Sequence, residues 1–393
     1  MQMAVLEEAF RHTYGYAPTF LARAPGRVNL IGEHTDYNDG LVLPMAIDRE
    51  AVVVGAPRDD NMVNLFSLHY NEKLSFDLGT IARRQEHHWS HYVLGVADAL
   101  LRAGHTLKGF DGVLGSDVPI GSGLSSSAAV ELATLMAFAA ATPSLQLSPL
   151  DAARLAQRAE NLFVGVQCGL MDQLIAALGR AGHALLIDCR TLAHQSVPLP
   201  EGYTVVIIDT AAPRALASSA YNERRAQCEQ AARLLGVPAL RDVSPEELAR
   251  RQTELPPLLA RRARHVVREN QRVLQAVEAL RAGDVAELGA LMNQSHDSLR
   301  DDYEVSSPAL DAAVEIARAT DGVLGARMTG AGFGGCAIAL AAQACVPALT
   351  TNLLAHYPKR TGLTPRLYPC CASDGAAWHR LDDRLRQHSL HPC

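Results

Sequence analysis

The chain of 393 residues is 48% hydrophobic and 20% charged, the balance of an ordinary soluble globular protein, and its length predicts two domains rather than one small core. A formal net charge of −6 argues against nucleic acid as a general partner and gives no reason to expect a membrane surface. The acidic start Met-Gln-Met-Ala-Val-Leu-Glu-Glu does not suit a secretory signal, and the longest apolar run, Leu132 to Ala141, falls short of the ~20 residues that span a bilayer. Eight scattered cysteines without CxxC spacing suggest reduced thiols in the cytoplasm rather than zinc, and the adjacent Cys370 and Cys371 are poorly placed to bridge one another.

In chain order, Val5 to Thr13 predicts a helix, and strand-like pieces follow at Phe20 to Ala24 and Val28 to Ile31. Around them Arg27, Glu33, His34 and Asp36 crowd beside Gly32 and Gly40. That density of charge suits a loop gripping a polyhydroxylated ligand, because carboxylates accept hydroxyl protons and His34 can donate or accept. Asp36 to Gly40 reads equally as a polar turn before the apolar run Leu41 to Ile47. Strands are predicted at Ala51 to Ala56 and Met62 to Ser67, then a helix over Trp89 to Leu101.

Next comes Asp117 to Leu132, with a short strand at Phe110 to Leu114 before it and a helix, Ala128 to Ala141, after it. Between lie Pro119, Gly121, Ser122 and Gly123, then Ser125, Ser126 and Ser127 at the helix start. Glycines let the backbone approach a ligand, and the first turn of a helix offers amide hydrogens and a positive dipole end. Together they predict a phosphate site, with serine hydroxyls able to bind phosphate oxygens or magnesium. No lysine occurs between Lys108 and Lys359, so this is not a Walker A loop; the plainer reading is a Gly/Ser turn capping a helix.

Ser148-Pro149 opens another helix, whose apolar face is expected to include Leu155, Ala159 and Leu162 with Glu160 beside it. Asp172 stands among Leu170, Met171, Leu174 and Ile175, an odd setting for a carboxylate unless it is a solvated helix position. Ala184 to Asp188 and Tyr203 to Asp209 read as buried strands, with a domain boundary expected between them near Thr191 to Glu201, where Pro198 and Pro200 interrupt the pattern. Arg214 to Arg225, which contains Tyr221, leads into a helix ending near Leu235. Helices continue to about Thr320, including an arginine-rich His265 to Arg281 segment read as a solvated face. Gly322 to Leu340 returns to strand, glycine loop and strand.

Three of these segments carry a resemblance. Gly26-Arg-Val-Asn-Leu-Ile-Gly-Glu-His-Thr-Asp-Tyr-Asn-Asp-Gly40 resembles the N-terminal signature of galactokinases. Pro119 to Ala128 and Met328-Thr-Gly-Ala-Gly-Phe-Gly-Gly-Cys336 resemble the second and third motifs of the wider superfamily that includes homoserine, mevalonate and phosphomevalonate kinases. The resemblance implies an α+β fold of two domains, an N-terminal mixed-sheet domain (1–195) and a C-terminal ferredoxin-like domain (196–393) whose last residues pack back on the first, with the active site in the cleft between them.

It further implies MgATP and galactose as substrates. Asp172 then corresponds to the carboxylate beside the anomeric hydroxyl and Arg27 to the cation facing it. Glu33, His34, Asp36, Gly169 and Tyr221 correspond to sugar-binding positions. Gly121, Ser122, Gly123, Ser125, Ser126 and Ser127 would hold the nucleotide phosphates, Trp89 the adenine unless it is a core residue, and Ser126 with Glu160 the magnesium ion. Ala220 departs from the glutamate common in relatives. A monomeric, cytoplasmic kinase is expected. The neighbouring readings are an N-acetylgalactosamine kinase and a non-catalytic galactose/ATP sensor, whose damage tends to fall in the phosphate loop; that loop is intact here.

Overall fold

The computed structural model describes residues 3–83, 89–166, 168–213 and 217–381, so the start of the Arg214 to Arg225 segment and residues 382–393 lie outside the described set. α1 (Met3–Tyr14) precedes β1 (Phe20–Asn29), β2 (Leu41–Val42), β3 (Pro44–Pro57), β4 (Met62–Ser67) and β5 (Glu72–Asp77). Then come α2 (Ser90–Arg102), β6 (Phe110–Ser116), α3 (Ser126–Ala141), α4 (Pro149–Arg158), α5 (Met171–Leu178), β7 (His183–Asp188) and β8 (His194–Pro198). The second half holds β9 (Tyr203–Asp209), α6 (Ala217–Leu234), α7 (Pro245–Arg251), α8 (Pro257–Ala282), α9 (Val285–Asp301) and α10 (Pro308–Arg318). It closes with β10 (Val323–Thr329), β11 (Cys336–Ala342), α11 (Val346–Thr361), β12 (Arg366–Cys370) and β13 (Ala377–Arg380).

A mixed sheet of order β13-β1-β3-β6-β4-β5 forms the first layer, antiparallel except for the parallel β4–β6 pair. Leu6 and Phe10 of α1 cover one face of β3 and β6, while α3 packs on the other side against β1 and β3. Ala51 to Ala56 of β3 are therefore buried without alternation, as expected of a strand covered on both faces. α3 is apolar on all sides and rich in alanine, which lets it sit centrally among β1, β3, α2, α4 and α5. A small antiparallel sheet, β2-β7-β8, lies beside this layer. The antiparallel sheet β10-β11-β9-β12 organises the second half, with α6, α8, α10 and α11 sharing its apolar core. β13 returns to pair with β1, Phe20 opposite Arg380.

The segment Thr191 to Glu201 contains β8, paired with β7 from His183 opposite Pro198, because a proline is tolerated at the end of an edge strand. Three local expectations are corrected. Leu162 is 76% exposed rather than on the apolar face, because α4 passes into a π-helical turn, Ala159–Val164, that shifts the phase of the stripe. The His265 to Arg281 segment is solvated on one side only: Arg268, Glu278 and Arg281 are exposed, but His265, Glu269 and Arg272 are buried. Among the described residues six cysteines are free, Cys370 among them, but Cys371 is disulfide-bonded, against the expectation of reduced thiols throughout. Among the described residues no helix is long and apolar enough to cross a membrane.

Candidate active site

The pairing register of β1 with β3 shifts between Pro25 and Arg27, which turns Arg27 towards the phosphate loop. Gly26 makes room for this, since a Cβ there would lie 2.7 Å from the Leu124 carbonyl oxygen. The Arg27 backbone donates to that same carbonyl at 3.0 Å, and its guanidinium donates to the Gly123 carbonyl at 2.6 Å. The remaining edge of the guanidinium meets Asp172, in the first turn of α5, through two bonds of 2.8 and 2.7 Å. Burial works against the Arg27 charge, but the Asp172 carboxylate overcomes it and holds the guanidinium above its usual range. Ser125 donates a short hydrogen bond to the same carboxylate. Its backbone is left-handed (φ 59°), and its side chain makes no capping bond, so the first amides of α3 stay open to the cleft.

On one side of the Arg27–Asp172 pair lies a cavity of about 450 Å³ lined by Glu33, His34, Asp36, Gly169, Cys168 and Tyr221. The sequence-predicted sugar residues are thus brought together. Gly169 presses so close to the Asp36 carboxylate that a Cβ would overlap it. Burial, then the charge of Asp172, push the Asp36 carboxyl up to about 6. His34, also left-handed (φ 62°), is lowered to about 3 by burial and is neutral at physiological pH. Its Nδ1 lies 2.8 Å from the Tyr37 hydroxyl, which lies 2.7 Å from the hydroxyl of Tyr303, itself 3.1 Å from the Cys228 thiol. Tyr221 packs on His34 and Tyr37 at ring separations of 5.7 and 5.0 Å.

Glu33 is held more tightly than a free ligand-binding carboxylate. One oxygen accepts from the Gly330 amide (2.7 Å), the Thr329 hydroxyl (3.0 Å) and Arg327 (3.5 Å), and the other from Asn29 (3.0 Å). Glu269 of α8 accepts from the amides of Gly32 and Glu33. Arg272 and other cations pull its carboxyl down to about 2 against the effect of burial.

On the other side lies a cleft of about 580 Å³, lined by Gly121, Gly123, Ser125, Ser126 and Ser127 together with Tyr70 and Trp89. The Trp89 ring stacks nearly parallel to Tyr70 (6°, centroids 6.1 Å apart) and donates to Glu72 at 3.0 Å. Ser122 is turned away; its hydroxyl donates to the Pro119 carbonyl at 2.6 Å and closes the turn. Arg27, Asp172, Gly330 and Ala331 line both cavities, so the two spaces meet at the Arg27–Asp172 pair.

Beneath that junction the π-helical turn presents Glu160. One of its oxygens accepts from Gln173 (2.7 Å) and the Cys168 thiol (3.3 Å), and Ser127 also bonds the carboxylate. Burial raises the Glu160 carboxyl despite the Cys168 bond, and the nearby Asp172 charge adds to the rise. Hydroxyl and carboxylate oxygens at the mouth of a phosphate site fit magnesium, and a cation there would relieve this crowding of negative charge. Among the described residues no three acidic, histidine or cysteine side chains converge on an ion, so nucleotide oxygens and water would complete its shell.

Sequence reasoning missed Tyr37 and Tyr303, Tyr70, and the pair Glu131 and Gln173. Only Glu131 left a readable signal, a lone carboxylate inside an alanine-rich apolar helix.

Two adjoining cavities, one with open helix amides and one lined by carboxylates, define a small-molecule kinase, and the comparisons agree. Residues 91–180 and 276–352 match the N-terminal and C-terminal domains of the GHMP kinases, and residues 8–57 match the galactokinase galactose-binding signature. The galactokinase of Roseiflexus sp. (strain RS-1) is 51% identical over 386 residues, 97% of this chain and 98% of that protein. That of Chloroflexus aggregans is 49% identical over 381 residues, covering 96% and 97%. The structure of Lactococcus lactis galactokinase complexed with galactose superposes with a TM-score of 0.91 at 37% identity, covering 95% of this chain and 99% of that one. Methanococcus jannaschii mevalonate kinase shares the fold at a TM-score of 0.68 and 19% identity, over 91% and 99% of the two chains. The chain belongs to the galactokinases and phosphorylates galactose with ATP.

Proposed function

We propose that the transfer takes place at the Arg27–Asp172 junction, from the γ-phosphate of MgATP to the anomeric hydroxyl of galactose. The observation that carries this reading is the shared wall: both cavities open onto the same bidentate ion pair. Asp172 receives the hydroxyl proton and orients the nucleophile, while Arg27 keeps it anionic and faces the incoming phosphoryl oxygens. Asp36, His34, Gly169 and Tyr221, which line the cavity on one side of that pair, read the sugar. Glu33 shapes that wall from behind through its bonds to Gly330 and Asn29.

Gly121, Gly123 and the first turn of α3 cradle the phosphates, with Tyr70 and Trp89 offering a flat surface for the base. Glu160 and Ser126 hold magnesium, which when bound neutralises phosphate charge. The halves divide near residue 195, and the protein acts as a monomer.

Asp172→Asn keeps shape but accepts no proton. Its turnover is expected to fall about 10²- to 10⁴-fold, with galactose and ATP affinities by calorimetry little changed. A drop of only a few fold would reduce Asp172 to an orienting group, because a loose transition state demands little of a base. The same coupled ADP-release assay run with a sugar panel should favour galactose over glucose by ~10⁴-fold, since glucose carries one hydroxyl in the opposite configuration and leaves the groups that bind it in galactose unpaired. Comparable turnover of N-acetylgalactosamine would shift the substrate assignment.

A further inference from the structure

Two buried polar residues that the reaction does not use directly lie behind the metal carboxylate. Glu131 projects from α3, within two turns of the serine-bearing helix start, and is fully buried. Gln173 follows Asp172 on α5 and is equally buried. The Gln173 amide nitrogen donates to Glu160 at 2.7 Å and to Glu131 at 3.2 Å. An amide nitrogen carries two hydrogens, so each carboxylate takes one and the donor capacity of Gln173 is used up.

This geometry fixes the amide. Rotating it by 180° would turn its carbonyl oxygen towards the Glu160 and Glu131 oxygens that now accept from it and forfeit both hydrogen bonds, which is costly for groups this deeply buried. Glu131 therefore decides which way Gln173 faces, and Gln173 decides where one oxygen of Glu160 sits. With that oxygen held by Gln173 and Cys168, the rotation of the Glu160 carboxylate is set before any ion arrives. Pre-set orientation matters for magnesium, which tolerates little departure from octahedral geometry.

We propose that Gln173 and Glu131 are positioning residues for the magnesium carboxylate, a two-step brace from α3 through α5 to the π-helical turn. The proposal rests on Glu160 being a metal ligand. It also gives a reason for a buried acidic side chain in a helix whose other buried residues are almost all apolar, where isolation would make that side chain a liability. Because Gln173 adjoins Asp172 on one helical turn, the brace places the ion's carboxylate and the reacting carboxylate on a common rigid support.

The test uses Mn²⁺ as probe, titrated into protein saturated with a non-hydrolysable ATP analogue and followed by the loss of the free-ion EPR signal. Gln173→Met keeps volume but removes both donors, and is expected to weaken Mn²⁺ binding ~10- to 100-fold, the usual effect of losing an outer-shell partner. Galactose affinity by calorimetry should stay within about 2-fold, since no residue lining the sugar cavity is replaced. Glu131→Leu should weaken Mn²⁺ binding likewise, whereas Glu131→Gln, which keeps an acceptor oxygen, should remain within about 3-fold of the parent. Should Gln173→Met not fold, the Glu131 pair alone decides: equal Mn²⁺ affinity in Glu131→Leu and Glu131→Gln overturns the brace. So does a parent-like Gln173→Met, or a parallel loss of galactose affinity, which would mean general loosening. A Glu160→Ala control separates the two claims, because unchanged Mn²⁺ binding there removes the metal assignment itself.

Discussion

Asp36 sits where stability and binding make opposite demands. Its carboxylate is pressed against Gly169, beside Asp172, and its carboxyl is raised to about 6 from an ordinary 3.8. A carboxyl raised by folding stabilises the native state below its unfolded pKa and loses that contribution as pH rises through the folded value. Asp36 therefore weakens the free protein above about pH 6, where it must carry charge. Asp36→Asn should melt at a higher temperature than the parent at pH 8, with the difference shrinking through pH 6 and gone near pH 4. The same change should weaken galactose binding, since the amide cannot take two hydroxyl protons. Equal melting temperatures at pH 8 would show that water in the cavity already screens the charge. His34 is different: lowered to about 3, it stays neutral across that range and does not contribute to the shift.

At the scale of elements, the start of α3 joins backbone and side-chain roles in one residue. Ser125 adopts a left-handed conformation (φ 59°) that glycine takes freely, yet it is not glycine, and its hydroxyl meets Asp172. The two roles can be separated. Ser125→Gly should be more stable than Ser125→Ala by about 1 kcal/mol, the cost of a Cβ in that conformation. Both should lose turnover to the same degree, about 10- to 100-fold, as expected for removal of a hydrogen bond to a charged group. A glycine variant with full activity would show that the hydroxyl is dispensable and that only loop shape matters. The π-helical turn after α4 is a second such device, since it displaces Leu162 to the surface while Glu160 remains buried beneath the site.

For the whole molecule, the two halves are joined through Glu33 rather than by apolar packing alone. Arg327 and Thr329 of β10 and the Gly330 amide converge on its carboxylate, and His265 and Glu269 of α8 bond its backbone. Gly330 lines both cavities, so a ligand that orders one side acts on the other through this joint. Coupling between sites is reciprocal and commonly amounts to 5-fold or more. Galactose should therefore tighten binding of a non-hydrolysable ATP analogue at least about 5-fold. In Glu33→Gln, measured at saturating galactose, the factor should fall towards one, because an amide cannot accept from both sets of donors. Independent binding of the two ligands in the parent protein would count against the joint.

The family, the three motifs and most regular elements can be read along the chain, because glycine spacing, capping and apolar runs are local properties. Met62–Ser67 and Tyr203–Asp209 emerge with the predicted ends, and Ser148 caps α4 by accepting from the Asp151 amide. The sequence also nominated Arg27 and Asp172, which lie 145 positions apart and meet as a bidentate pair. Which polar residues are buried, and what they face, depends on how distant elements pack. His265, Glu269 and Arg272 look like a solvated helix face until the sugar loop is laid against them, and Glu131 and Gln173 acquire meaning only when α3 and α5 pack. A charge is tolerable in the interior only beside a partner, and such partners come from distant parts of the chain that no local pattern records.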